Sequence, residues 1–428
     1  MKTDVTTATS ANANTAFRKK AAGTGCRSCG HKGLDPVLDL GVTALVDTLV
    51  TSDKLNGKEN KYPLQVGFCP ECALMQVLDT VPPEEVFHEE YTYYASFSTS
   101  WLAHCRENAL KQIDRFKLNE KSLVVELASN DGYLLKNYVE KGIPVLGIDP
   151  CKGPVQAALK INVPTMHAFF TLELAKKLAS EGKKADVVHA NNVMAHVADT
   201  NGFIAGIAAI LKDRGSLVTE SPYVKDLIDH CEFDTIYHEH LCYYGVTSLK
   251  NLYARHGLYI NDIERIPTHG GSIRQYVSKQ PGESETVKKL LAEEEKLGIN
   301  RYGAYYQSFA TRVESIKRHM LEILQGLKAQ GKRVAAYGAS AKGSTMLSYL
   351  GAGPDLIEFV VDKNVHKHGK FMPGLHNPIF DVTAIAEKKP DYLVLLVWNL
   401  KDEILKQQEA FRRAGGKFIV PIPTPAIV

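Results

Sequence analysis

The sequence lacks the features that mark membrane-spanning, secreted or nucleic-acid-binding proteins. No apolar run approaches the roughly 20 residues that a membrane-spanning helix requires. The net charge is only +3, and no basic stripe is interleaved with aromatic side chains. The polar residues 1–22 contain no apolar stretch of the kind found in secretory signals. We therefore expect a cytoplasmic protein that binds neither a membrane nor nucleic acid.

Length and composition are those of a multidomain globular protein. The chain has 428 residues, of which 23% are charged and 44% are hydrophobic, and this length is sufficient for two or three domains. Changes in pattern along the chain predict a disordered tail at 1–22, a cysteine-containing module at 23–90, an α/β domain at 91–280, a helical connector at 281–330 and a second α/β domain at 331–428. Because three domains lie in one chain, we expect a monomer.

Cysteine is scarce, and half of the eight cysteines fall into two C-x-x-C pairs. In a cytosolic chain, such pairs indicate metal ligands and not disulfides. Together they offer four thiolates to one ion, which is the closed tetrahedral shell of a structural zinc site. The predicted zinc ligands are Cys26, Cys29, Cys69 and Cys72.

The first α/β domain contains continuous apolar segments, which alternate with helical stretches. The predicted strands are residues 123–129, 144–150, 185–192 and 215–223. This alternation is typical of a doubly wound, mostly parallel sheet. Segments 258–266 and 272–279 are joined by only five residues. So short a link cannot hold a crossover helix, so these two strands must run antiparallel.

The loop after the first of these strands bears on the choice of cofactor, for which NAD(P), S-adenosylmethionine and no cofactor are the alternatives. A dinucleotide needs glycines and a helix N-terminus for its pyrophosphate, whereas Ser129-Asn130-Asp131 is bulkier and acidic. An acidic loop suits a sulfonium ion, and Asp149 could accept hydrogen bonds from ribose hydroxyls. The pattern favours a class I methyltransferase sheet. The predicted cofactor-binding residues are Glu126, Ala128, Ser129, Asn130, Asp131, Asp149, Asn191 and Asn192.

The segment 233–245 places Tyr237, His238, Glu239 and His240 in consecutive positions among apolar neighbours. Such a density of titratable groups in an apolar setting indicates a chemical site. In a helix, Tyr237 and His240 would share a face and could act as an acid–base pair. In an extended segment, His238 and His240 would share a face and could bind a metal.

These motifs, taken in order, resemble those of the three-domain nucleotide-sugar C-methyltransferases, which use S-adenosylmethionine to branch deoxysugars at C3 or C5. The resemblance covers residues 23–428 and includes the cysteine pairs, VVELASNDGYLL, IYHEHLCYY, THGGSIR and YGASAKGSTML. It implies that Tyr237, Glu239 and His240 lie in the active site, with His240 as the base. It also implies that Tyr91 or Tyr93, in YTYYASFSTSW, lies near the substrate.

The second α/β domain begins at residue 333 with a turn that contains Ser340 and Lys342. A Rossmann-like domain with this turn could hold the nucleotide or diphosphate of the substrate; alternatively, the turn is only a helix start with an exposed lysine. His269, in the THGG turn, either reaches the active site or belongs to a tight hairpin.

The function expected from these features is methyl transfer from S-adenosylmethionine to a ring carbon of a 4-keto-deoxy nucleotide sugar, with C3 as the expected position. Deprotonation beside the keto group would give an enolate that attacks the methyl group. The alternatives are an NAD-dependent nucleotide-sugar dehydrogenase or epimerase, and a non-catalytic zinc-ribbon adaptor.

Overall fold

The structure, a computed structural model, describes residues 15–82, 85 and 94–428, which form three sheets. Within this part of the chain, no helix combines the length and the apolar character needed to cross a bilayer. Residues 15–23 are helical, although the sequence predicted a tail through residue 22. The helix is ordered because Phe17 and Ala21 are buried against the cysteine pairs.

The first sheet belongs mainly to the cysteine-containing module. Its strands are β1 (Asp35–Ala44), β2 (Lys61–Phe68) and β3 (Met75–Val77), and a short helix, Ser52–Lys54, lies between β1 and β2. Each strand is antiparallel to its neighbour. A fourth strand, β9 (Cys242–Tyr243), comes from the middle of the chain and pairs with β3. The module is therefore hydrogen-bonded to the segment that contains Tyr237–His240.

The second sheet has seven strands in the order β6-β5-β4-β7-β8-β11-β10. Its strands are β4 (Val124–Leu127), β5 (Val145–Asp149), β6 (Thr165–His167), β7 (Ala185–His189), β8 (Leu211–Pro222), β10 (Tyr259–Ile266) and β11 (Ser272–Ser278). Strands β4 to β8 are parallel, while β11 is antiparallel to both β8 and β10. The predicted antiparallel pair is confirmed, and β11 inserts between β8 and β10.

The helices of this domain cover the sheet and connect its strands. They are Thr99–Phe116, Lys136–Val139, Lys152–Lys160, Leu172–Ser180, Thr200–Ile210, Val224–Asp229 and Val246–Ala254, with single 3-10 turns at Ala95–Phe97, Met194–His196, Phe233–Thr235 and Thr268–Gly270. Because the carboxyl ends of β4, β5, β7 and β8 meet at one edge, the loops that follow them lie close together.

Two helices, Glu285–Leu297 and Ala304–Ala329, lead to the third sheet. Its order is β14-β13-β12-β15-β16-β17, and only β17 is antiparallel. The strands are β12 (Val334–Tyr337), β13 (Val360–Val361), β14 (Ile379–Phe380), β15 (Tyr392–Leu395), β16 (Lys417–Val420) and β17 (Ala426–Ile427). The helices are Ala341–Leu350, Ala384–Lys388, Lys401–Gln407 and Glu409–Arg413, with 3-10 turns at Val365–Lys367 and Trp398–Leu400.

The helix Ala341–Leu350 brings the three domains together. Ser344 Oγ donates a hydrogen bond to the Val46 carbonyl of the first domain, at 3.0 Å. Thr345 Oγ1 donates to the Ile236 carbonyl, at 3.3 Å. The N-terminus of this helix therefore faces the same region as the Tyr237–His240 segment and the end of β1.

Candidate functional site

The turn after β4 is sharply bent and is held by Asp149 at the end of β5. Ala128, Asn130 and Gly132 all have positive φ angles of +52°, +48° and +80°. The Asp149 carboxylate accepts hydrogen bonds from the backbone N–H groups of Asn130 and Cys151, both at 2.8 Å. Burial raises the pKa of Asp149, although both hydrogen bonds oppose this effect. The carboxylate thus fixes the turn and still borders the predicted cofactor position.

Several polar atoms at this edge are buried and have no hydrogen-bond partner among the described residues. They are Ser129 Oγ, Asp131 Oδ1 and Asn192 Oδ1. These atoms are grouped at the carboxyl edge of the sheet, where parallel sheets bind their ligands, so this group indicates the position of a bound ligand. Acceptors predominate, as a ligand with an ammonium group and hydroxyl groups requires. S-adenosylmethionine fits this description.

Two other predicted cofactor residues have mainly internal roles in the structure. Asn191 Oδ1 accepts a hydrogen bond from the Glu220 N–H at 3.0 Å, which ties the loop after β7 to β8. Glu126 lies within β4, where burial raises its pKa well above the ordinary value for a glutamate. Asn191 therefore shapes the edge of the sheet from beneath the loop, whereas the Glu126 side chain is buried within the sheet.

The four predicted zinc ligands come together. Their sulfur atoms all lie within 4.8 Å of one another, and this is the only cluster of possible metal ligands found among the described residues. The two pairs also share a backbone arrangement. Gly30 N donates to Cys26 O and Ala73 N donates to Cys69 O, both at 2.9 Å. Four thiolates at tetrahedral spacing match the donor set of structural zinc.

Tyr237 and His240 form a hydrogen-bonded pair on a tight turn. His240 N donates to Tyr237 O at 2.9 Å. The segment is a turn and not a helix, and the turn brings the two side chains together as a helix would have done. The His240 ring lies between Thr235 O, 2.9 Å from Nδ1, and the Tyr237 hydroxyl, 2.8 Å from Nε2. Because a carbonyl can only accept, Nδ1 carries the proton, and Nε2 accepts from Tyr237. Burial lowers the pKa of His240 well below its ordinary value.

The neighbours of His240 in the chain point to different surroundings. His238 is buried, and its Nε2 donates to the Pro63 carbonyl of β2 at 3.2 Å. It therefore does not form a metal site with His240. Glu239 has a pKa raised to about 8, first by burial and then by the negative charge of Asp47. Glu239 is thus a protonated acid near neutral pH.

The structure adds residues that sequence reasoning did not identify. The His196 ring lies 4.8 Å from the His240 ring, and Leu241 N donates to Ala195 O at 2.7 Å. Burial lowers the pKa of His196 to about 4, so the ring is neutral. The sequence signal that could have identified His196 is its position just after the strand that ends at Asn191-Asn192, because the loops at this end of parallel strands carry ligand-binding groups. The contact between the His196 and His240 rings therefore places His240 at the predicted cofactor edge of the sheet.

The predicted substrate residues of the third domain face the same region. Ser340 caps the helix Ala341–Leu350, since its Oγ accepts from Gly343 N at 3.1 Å. Lys342 Nζ donates to Asn399 Oδ1 at 2.5 Å and lies 4.8 Å from the centre of the Trp398 ring. Trp398 in turn donates to Asp234 Oδ2 at 2.8 Å.

Burial lowers the pKa of Lys342, and the charges of Asp234 and Glu232 partly restore it. Lys342 thus reaches toward the residues that precede Tyr237. His269 has a φ angle of +57° and its ring lies 5.4 Å from that of Trp101, edge to face. Desolvation by neighbouring residues, followed by the positive charge of Lys342, lowers the pKa of His269 to about 4. Tyr91 and Tyr93 lie outside the described residues.

Comparison with known proteins identifies each part of the chain. A zinc-binding-domain profile matches residues 26–87, a methyltransferase-domain profile matches 101–262, and a profile described as the C-methyltransferase C-terminal domain matches 267–423. The ubiquinone biosynthesis O-methyltransferase of Bartonella quintana is 28% identical over 27% of this chain and 48% of its own length. The expected α/β fold, four-cysteine zinc domain and S-adenosylmethionine-dependent methyltransferase domain are confirmed.

One solved structure, the magnesium protoporphyrin IX methyltransferase of Synechocystis PCC 6803 with bound SAH, aligns at 13% identity and a TM-score of 0.33, covering 46% of this chain and 91% of that one. A TM-score this low adds nothing to the assignment. The C-methyltransferase NovU of Streptomyces niveus is 36% identical over 94% of this chain and 96% of its own length. With all three domains matched in order, the chain belongs to the C-methyltransferase family that includes NovU.

Proposed function

We propose that this chain methylates a ring carbon of a 4-keto-deoxy nucleotide sugar, with C3 as the expected position. The observation that carries the proposal is the Tyr237–His240 pair, whose Nε2 lone pair lies beside the cofactor edge of the sheet. A hydrogen-bonded donor and a neutral base side by side suit proton removal next to a carbonyl group. We expect a monomer, since one chain supplies all three domains around the site. We also expect the protein to be cytoplasmic.

The reaction would begin when the keto oxygen of the sugar takes over the hydrogen bond of the Tyr237 hydroxyl. His240 Nε2, freed from Tyr237, then accepts the proton from the neighbouring ring carbon. The C–H electron pair moves into a carbon–carbon double bond, and the oxygen becomes an enolate that Tyr237 stabilises. When bound, S-adenosylmethionine supplies an electrophilic methyl group, which the enolate carbon takes as the carbon–sulfur bond breaks.

The remaining groups would bind and orient the sugar nucleotide. Glu239, protonated near neutral pH, can donate a hydrogen bond to the sugar. Lys342 and the N-terminus of the helix Ala341–Leu350 carry positive charge toward the site, which suits a diphosphate. His269 faces the site as a neutral ring. We also propose that Tyr91 or Tyr93 contacts the sugar.

The proposal is tested by incubating the enzyme with S-adenosylmethionine and a panel of 4-keto nucleotide sugars that differ in base and in ring substituents. Mass spectrometry should show the gain of one methyl group for at least one member. A panel of phenols run in parallel provides the comparison, since an O-methyltransferase would methylate these instead. Transfer to phenols alone would contradict the proposal.

Replacing Asp149 with Asn should weaken cofactor binding by about 10- to 100-fold. The substitution removes a charged acceptor for the ribose hydroxyls, and hydrogen bonds to charged groups contribute roughly 1.5–3 kcal/mol. Isothermal titration with S-adenosylmethionine and with its demethylated product should show equal losses, because the ribose is common to both. Asp213→Asn, at a side chain that is 92% exposed, serves as the control. Unchanged affinity in Asp149→Asn would exclude this contact.

The pH dependence of kcat/KM should reflect the raised pKa of Glu239 and the lowered pKa of His240. Because burial lowers the pKa of His240, the rate should stay level as the pH falls below the ordinary histidine value of about 6.5. Because the pKa of Glu239 is raised to about 8, the rate should fall above that pH as the proton that donates its hydrogen bond is lost. Glu239→Gln keeps a donor and should remove the alkaline fall. A rate that rises through pH 8 would show that the ionised carboxylate is required.

A further inference from the structure

The residues that follow His240 form part of the zinc-binding domain's sheet. Gln76 is paired with Cys242 across the β3–β9 ladder. The ladder continues toward the active site, where Val77 N donates to Leu241 O at 3.0 Å. This hydrogen bond lies one residue beyond His240, so the position of the base depends on where β3 lies.

His238 connects the other side of Glu239 to the same sheet. Its side chain is only 3% exposed, and its Nε2 donates to Pro63 O of β2 at 3.2 Å. Its ring also meets the Tyr62 ring edge-on, with 5.9 Å between the centroids. The two residues Glu239 and His240 are thus held between one hydrogen bond to β2 and one to β3.

Gln76 relates this attachment to the cysteine cluster. Its side chain is fully buried. Its Oε1 accepts from Arg27 N at 2.8 Å and its Nε2 donates to Gly25 O at 3.2 Å. These two residues flank Cys26 in the chain. One side chain therefore spans from the first cysteine pair to the strand that holds the end of the catalytic segment.

We propose that His238 and Gln76 are positioning residues, through which the zinc-binding domain holds Glu239 and His240 at the methyl-transfer site. In this proposal, the four cysteines do not bind the substrate. They act on Glu239 and His240 indirectly, through the hydrogen bonds made by Gln76, β3 and His238. The catalytic consequence rests on the function proposed above. The structural consequence does not rest on that function, because it concerns only how rigidly residues 237–243 are held.

The alternative is that the domain contributes stability alone. In that case, loosening His238 would lower the unfolding temperature but would change local hydrogen exchange and the catalytic constants no more than any other buried substitution. Positioning instead predicts a local effect with a kinetic signature. Displacement of a catalytic group by about 1 Å can cost about 10²-fold in rate.

The test compares His238→Leu with His238→Gln, whose amide can replace the Nε2 donor to Pro63. Amide hydrogen exchange is followed in the holoenzyme with its zinc content measured. In His238→Leu, residues 237–243 should exchange at least ten-fold faster, while residues 124–149 and the zinc content stay unchanged. His238→Gln should restore slow exchange. Ile385→Ala, at a buried position in the core of the third domain, is the control for a buried substitution elsewhere.

With a keto-sugar substrate, kcat of His238→Leu should fall by about 10²-fold, the KM for S-adenosylmethionine should not change, and His238→Gln should recover most of the rate. If His238→Leu does not fold, Gln76→Met is tested in the same way. Wild-type exchange of residues 237–243 in the substituted protein would overturn the inference. If the wild type methylates no keto sugar, the proposed function fails, and the exchange data still decide this inference.

Discussion

Replacing His240 with Asn should lower the rate of methyl transfer by about 10²- to 10⁴-fold, the range over which a positioned general base contributes. The asparagine amide can still donate to Thr235 O, which His240 Nδ1 now does at 2.9 Å. It cannot reach the place of Nε2, which faces Tyr237. The substitution therefore removes the proton acceptor and preserves the local backbone.

This change should leave cofactor binding intact, because the polar groups that border the cofactor position belong to the ends of β4, β5 and β7. Isothermal titration of His240→Asn with S-adenosylmethionine should thus give the wild-type affinity. His319→Asn, on the exposed face of the connecting helix, should keep wild-type turnover. A rate for His240→Asn within ten-fold of the wild type would show that another group removes the proton.

Replacing Cys26 with Ser should abolish zinc binding and destabilise the protein. Structural zinc contributes roughly 10–16 kcal/mol to the folding of isolated zinc fingers, and the four sulfur atoms here lie within 4.8 Å of one another. The helix at 15–23 and Leu34 pack against this cluster, so their burial depends on it. We expect the unfolding temperature to fall by about 10 °C or more, since 1 kcal/mol corresponds to roughly 4–8 °C for a domain of 60–100 residues.

Metal analysis by mass spectrometry should give one zinc per wild-type chain and none in Cys26→Ser. Cys151→Ser is the matched control, because Cys151 is a free cysteine outside the cluster. It should keep both the metal and the unfolding temperature. A Cys26→Ser protein that retained one tightly bound zinc would place the metal elsewhere.

The sequence predicted features that depend on short-range patterns. The cysteine pairs indicated their own ligand set, and the apolar strands with their following polar loops indicated the parallel sheet. The five-residue link between β10 and β11 required an antiparallel pair, which is observed. Each of these inferences depends on residues close together in the chain, where spacing restricts geometry directly.

The sequence did not predict arrangements that depend on distant parts of the chain. The pairing of β3 with β9 joins residues 75–76 to 242–243, and a strand of two residues leaves no periodic signal. The approach of His196 to His240 depends on how the loop after β7 packs. The burial of Phe17 depends on the cysteine cluster beside it. In each case, tertiary packing decides the position, and the local sequence permits several outcomes.

The most direct test of the account is to supply S-adenosylmethionine with a ¹³C-labelled methyl group, together with a 4-keto nucleotide sugar, to the wild type and to His240→Asn. The carbon NMR spectrum of the product should show the label bonded to a ring carbon next to the former keto position in the wild-type reaction, with no such signal from His240→Asn over the same time. Label bonded to oxygen or nitrogen, or equal labelling by both proteins, would contradict proton removal from carbon by His240.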